Sequence, residues 1–143
     1  MAILLLHLVS TLFMTGLIWF VQVVHYPIAR LVGTESFGAY QRAHMQRTSW
    51  VVGPPMLLEA GSTLWLLFTP PVHAAPWLPV LGAALLGVVW LSTLLQQIPA
   101  HDALLAGYDA HHHRRLVGTN WVRTIGWTLR AGIATAMVFY AAG

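Results

Sequence analysis

The sequence predicts an all-α fold: an integral membrane four-helix antiparallel bundle, one domain over residues 1–143, with a short interfacial helix between spans one and two. Three observations carry this. The 143 residues are 57% hydrophobic and only 8% charged, with a mean hydropathy of +0.67, a balance that soluble domains do not reach. Four segments, roughly 3–26, 51–69, 78–98 and 121–141, match the roughly 20 apolar residues that cross a bilayer. The polar residues gather in two of the three connections, as they do between membrane spans.

Composition also excludes. Cysteine is absent, so there is no disulfide, thiolate metal site or cysteine nucleophile. The net charge of +3 comes from seven arginines against four acids. They form no basic run, so the high pI does not mark a nucleic-acid surface and no nucleic-acid partner is expected. The N-terminus lacks a basic n-region and a small-residue cleavage site. It reads as a first span rather than a removable signal peptide.

In chain order, span one is closed by His25-Tyr26-Pro27, because proline inside a helix removes a hydrogen bond. In residues 34–48, Phe37, Tyr40, Gln41, His44 and Thr48 recur at helical spacing. They predict an interfacial amphipathic helix with Thr34 as N-cap and Trp50 in an aromatic belt. Span two opens at Gly53-Pro54-Pro55, with proline in the first turn, where it is tolerated. Residues 69–79 are an uncharged turn. Span three carries Gly82 and Gly87 for close helix approach. Its end is polar, with Thr93, Gln97 and His101 on one face, and Pro99 ends or kinks it. Residues 100–119 form a second polar loop before span four.

Arg30, Arg42, Arg47, Arg114 and Arg115 lie in the connections after spans one and three, and none lies elsewhere outside the spans. The positive-inside rule then puts those connections in the cytoplasm and both termini outside it, and the expected location is a bacterial inner membrane.

Alternating passes bring the polar residues to the cytoplasmic half. Span four carries Asn120, Arg123, Thr124 and Trp127 on one helical face, with Arg130 at its edge. An arginine within a span costs about 2.5–3.5 kcal/mol on insertion scales and therefore faces a partner or a wet cavity. Glu59 is the one acid within an apolar span. It reads either as an ion pair with Arg123 or Arg130 or as a metal ligand. His25, His44 and His101 read as interfacial imidazoles or as the remaining ligands. Three His and one Glu suit zinc, iron or copper. Tyr40 and Arg123 then become the catalytic candidates, with Asn120, Trp127 and Arg130 as substrate contacts and Gln97 orienting a ligand. A haem with His25 and His101 as axial ligands is the alternative cofactor. His7, His73 and His111-His112-His113 are expected to be solvated or interfacial. The histidine boxes of membrane desaturases and the Glu-x-x-His motif of di-iron bundles are absent.

Ile98-Pro99-Ala100-His101-Asp102-Ala103-Leu104, with Asn120-x-x-Arg123-Thr124, resembles the pattern of a family of small four-helix membrane proteins that includes anthrone-oxygenase-like members. The resemblance covers length, span number and these two motifs. It implies a membrane oxidoreductase acting on an aromatic or quinone-like substrate, often without an identified cofactor. That family is expected to carry Asn at the position of His101, and the imidazole here favours a metal. The sequence thus leads to a metal-dependent oxidoreductase acting on a small lipophilic substrate in contact with membrane lipid. A haem- or lipid-binding transport protein and a structural subunit stand as alternatives, and a homo-oligomer is left open.

Overall fold

The computed structural model describes residues 1–142. The described residues form four long helices and no strand: α1 (Ala2–Ala29), α2 (Thr34–Phe68), α3 (Trp77–Ala106) and α4 (Ala110–Ala142). Each is long and apolar enough to cross a membrane. Their outer faces expose residues such as Leu5, Phe13, Leu57, Leu91 and Leu129.

α4 is the rod that the others pack on, lying against both α1 and α3. Its buried residues His113, Leu116, Asn120, Arg123, Trp127, Arg130, Ala134 and Met137 follow one another at spacings of three and four, the seam that meets a neighbouring helix. The α1 seam is similar: His7, Ser10, Thr11, Met14, Ile18 and Gln22. Both seams are polar where a soluble bundle would be aliphatic. Apolar packing is concentrated at three levels. Leu4, Leu66, Leu78 and Met137 cluster at one end. Met14, Ile18, Val89 and Trp127 lie between. Tyr26, Phe37, Ala100, Leu104 and Leu116 close the other end.

Closest approach occurs at Gly126, where an added Cβ would lie 2.6 Å from Val89 Cγ2. Gly82 is buried against α4, whereas an added Cβ at Gly87 meets nothing within 4 Å. Of the two glycines expected to permit close packing, only Gly82 faces a neighbour.

Four boundaries differ from expectation: α4 begins at Ala110, so the second half of the loop expected over 100–119 is helix, and the other three involve proline. The segment expected as a separate interfacial helix is the first half of α2, which runs unbroken through Pro54 and Pro55. The carbonyls that these prolines leave without an amide partner belong to Trp50 and Val51, which are 77% and 49% exposed and so are not stranded in a core. Helix α1 continues past Pro27 and α3 past Pro99. Each proline follows by two residues a π-helical turn, Val21–His25 and Thr93–Gln97. The wider turn relieves the clash between the proline ring and the carbonyl four residues back.

Candidate functional site

The expected polar constellation is present but divided in two. At the end closed by Tyr26 and Phe37, three imidazoles and two phenols meet. His25 Nε2 and His44 Nδ1 share a hydrogen bond of 2.9 Å, with the rings stacked at 4.4 Å. The Tyr40 hydroxyl is 3.2 Å from the same His25 nitrogen. His101 is 5.4 Å from His44, centroid to centroid. The Gln41 amide donates to His101 Nδ1 at 2.8 Å and to its carbonyl at 3.1 Å. An amide nitrogen only donates, so the neutral His101 ring carries its hydrogen on Nε2, which donates to the Tyr26 hydroxyl at 2.9 Å. Both nitrogens of His101 are thereby used. His44 differs: Nδ1 meets His25 and the Thr48 hydroxyl, and Nε2 has no hydrogen-bond partner among the described residues.

Arg123 joins this group from α4. Its guanidinium faces the Tyr26 hydroxyl and lies 5.3 Å above the Trp127 ring, a cation–π contact. Nη1 donates to Asn120 Oδ1 at 3.3 Å and to Gln97 Oε1 at 3.5 Å, both long. Nε is buried without a partner. Asn120 is held in turn by donating to Gln22 Oε1 at 2.8 Å, and Gln97 by donating to Thr119 at 2.8 Å. Arg123 is therefore a buried cation whose oxygen partners, two amides and a phenol, carry no formal negative charge. Gln97, expected to orient a metal ligand, orients Arg123 instead.

The second group lies deeper. The Glu59 carboxylate, wholly buried, accepts from Arg130 Nε, Trp127 Nε1 and the Thr11 hydroxyl, each at 2.9 Å. Arg130 also donates to the Thr63 hydroxyl at 3.0 Å and to the Gly82 carbonyl. Of the two expectations for Glu59, the structure gives the ion pair, with Arg130. Its oxygens are occupied and it belongs to a different group from His25, His44 and His101. Trp127 and Arg130, expected as substrate contacts, are 0% and 1% exposed and belong to this group.

A cavity of about 200 Å³ lies between the helices beside the first group. Met14, Leu17, Ile18, Met45, Val52 and Ile98 make it apolar, while Tyr26, His44, Thr48, Gln97, His101 and Arg123 supply one polar wall. It exceeds the roughly 150 Å³ of an engineered cavity that holds benzene, so a ring-sized molecule fits. A second void of about 10 Å³, bordered by His25, Tyr40, Gln41, His44 and His101, has room for one water.

The donor set does not fit the expected metal. Among the described residues no three His or acidic side chains are arranged to hold one, and Glu59 and His101 are spent on other partners. Haem fits no better. Axial coordination needs a slot between His25 and His101, but the space there is occupied by the His44 ring and a water-sized void.

Several contributors were not read from the sequence as site residues. Tyr26 was taken as part of a helix stop, yet the π-turn before it carries the helix on and turns its ring inward. Gln41 is on the helical stripe of residues 34–48, where nothing in the spacing singles it out as a partner of His101. His7 and His113, expected to be solvated or interfacial, are 3% and 6% exposed. His7 bonds to the Ser62 hydroxyl at 3.0 Å, and His113 donates to the Tyr26 carbonyl at 2.8 Å. No family model, curated protein or solved structure matches the chain.

Proposed function

We propose that this is a four-pass membrane enzyme that takes a small lipophilic molecule with a carbonyl or anionic head into the cavity and moves a proton on it. The four long apolar helices support the spans. The gathering of Leu4, Leu66, Leu78 and Met137 in one cluster supports passes of alternating direction. The arginine bias then puts the cavity in the cytoplasmic half of the bilayer.

One observation carries the functional reading: His44 and the buried, uncompensated Arg123 line the same apolar cavity. A buried guanidinium without a counter-ion is costly, and a ligand oxygen that gains negative charge offsets that cost. His44 Nε2 is the base. It takes a proton from the carbon next to the ligand carbonyl, and the electron pair of the broken C–H bond moves to the carbonyl oxygen as an enolate held by Arg123. The Nδ1 hydrogen of His44 is relayed to His25 Nε2, which Tyr40 meets from the other side. Return of a proton to the enolate completes a keto–enol isomerisation with no electron donor or acceptor. His101, fixed by Gln41, keeps Tyr26 oriented toward Arg123.

The test is proton exchange. The protein in detergent is incubated with 2-tetralone in D₂O, and deuterium uptake next to the carbonyl is followed by NMR. Uptake above the detergent background is expected for the wild type, and its loss in His44→Ala and Arg123→Ala. Wild-type uptake at the background rate, or full uptake in His44→Ala, refutes the proton-transfer reading.

A further inference from the structure

We infer that the molecule in the cavity carries an apolar tail, and that this tail leaves the protein sideways between α1 and α2 into the surrounding lipid. This rests on the cavity reading above and adds the ligand class: an amphiphile with a carbonyl or anionic head and an alkyl or polyprenyl chain.

A hollow of about 190 Å³ lies between α1 and α2. It shares Leu17, Val21, His44, Thr48 and Val52 with the cavity, so the two spaces adjoin across these side chains. Its remaining walls are Phe20 and Val51, which are 55% and 49% exposed on the apolar surface, with His25 and Arg47 beside them. On the Phe20 and Val51 side the hollow opens toward acyl chains. The cavity alone falls below the roughly 300–1,000 Å³ usual for ligand sites, and the two together enter that range. His44 borders both spaces, so a tail running past it leaves the head beside Arg123.

The energetics give the two parts different jobs. A tail arriving from lipid gains no hydrophobic free energy, because acyl chains are as apolar as the groove. The groove thus selects by shape and supplies a path, while the head supplies affinity through Arg123. A sideways path also lets a poorly soluble ligand reach the buried cation without crossing water.

The experiment compares acetophenone with 4′-decylacetophenone, binding of each being measured by tryptophan fluorescence in the same detergent. Wild type is set against Val51→Trp, which plugs the groove outside the cavity, and Val88→Trp, a control on the exposed face of α3. Val51→Trp is expected to weaken the decyl compound at least tenfold, to leave acetophenone within twofold, and Val88→Trp to change neither. Equal loss for both probes, or no loss for either, overturns the tail route. Acetophenone binding that survives Arg123→Ala unchanged counts against the head site instead. Should Val51→Trp fail to fold, Val51→Phe is a smaller plug judged by the same criterion.

Discussion

Glu59→Ala tests the deep half of the bundle. The substitution removes the acceptor of three hydrogen bonds of 2.9 Å and strands Arg130, 1% exposed, with the Thr63 hydroxyl and the Gly82 carbonyl. Two magnitudes compete. Interhelical hydrogen bonds in membranes average about 0.6 kcal/mol, so three neutral ones amount to about 2 kcal/mol. Breaking a buried ion pair costs about 3–5 kcal/mol, because a charge is left unpaired. Both partners are buried, so the second figure governs and a loss of about 3–5 kcal/mol is expected. Glu59→Met with Arg130→Met removes the stranded charge, and stability is expected to return to within about 1 kcal/mol of wild type. The assay is a double-mutant cycle on unfolding by sodium dodecyl sulfate in mixed micelles, read by circular dichroism. A loss below about 1 kcal/mol for Glu59→Ala, or strictly additive effects, would falsify the ion-pair account.

Other perturbations have equally definite outcomes. Arg123→Ala weakens binding of a carbonyl-headed ligand about 10- to 100-fold, the worth of a charged hydrogen bond, and Arg123→Lys restores only part of it because the fork between Asn120 and Gln97 is gone; fluorescence titration reads both. His44→Ala slows deuterium exchange about 10²- to 10⁴-fold, whereas Tyr40→Phe, one step further along the relay, has a smaller effect. Gly126→Ala costs about 1–3 kcal/mol by forcing α3 from α4, and Val89→Ala in the same chain recovers most of it, as thermal unfolding will record. Asp109, exposed at the start of α4, accepts from the His112 backbone N–H at 2.8 Å, and this bond above all holds its carboxyl below the usual carboxylate range. Its contribution is therefore complete above about pH 4, where a free aspartate titrates, and is lost as pH falls through the lower folded value. The protection of amides 110–114, taken relative to their intrinsic exchange rate at each pH, is expected to fall at low pH in wild type and to lose that dependence in Asp109→Asn.

Hydropathy made the four helices legible, because a run such as Leu81–Leu95 has no other way to satisfy its backbone in lipid. It could not locate the helix ends. Pro27 read as a stop, Pro54 as a helix start and Pro99 as a stop or kink, and each lies within a continuing helix, since exposed carbonyls or a widened turn absorb the missing N–H. Candidate residues were legible by type and position along the helices but not by azimuth. Glu59 offered two partners, and the choice of Arg130 over Arg123 depends on a displacement of about two helical turns that composition does not encode. That choice decides the chemistry. It leaves Arg123 without a carboxylate and takes Glu59 away from the imidazoles, so four residues expected around one ion become two separate groups. His7 and His113 were misjudged for a related reason: a histidine near a span end looks interfacial until a hydroxyl or carbonyl on another helix claims it.

The paired π-turns have a consequence for how this scaffold sets its polar groups. Each adds one residue to a turn, offsetting everything beyond it by about 100° from an uninterrupted helix. Helices α1 and α3 are thus each two rods clocked separately. In α1 the first rod keeps Thr11 on Glu59 while the second turns Tyr26 toward His101, so the two polar groups are aimed independently of one another.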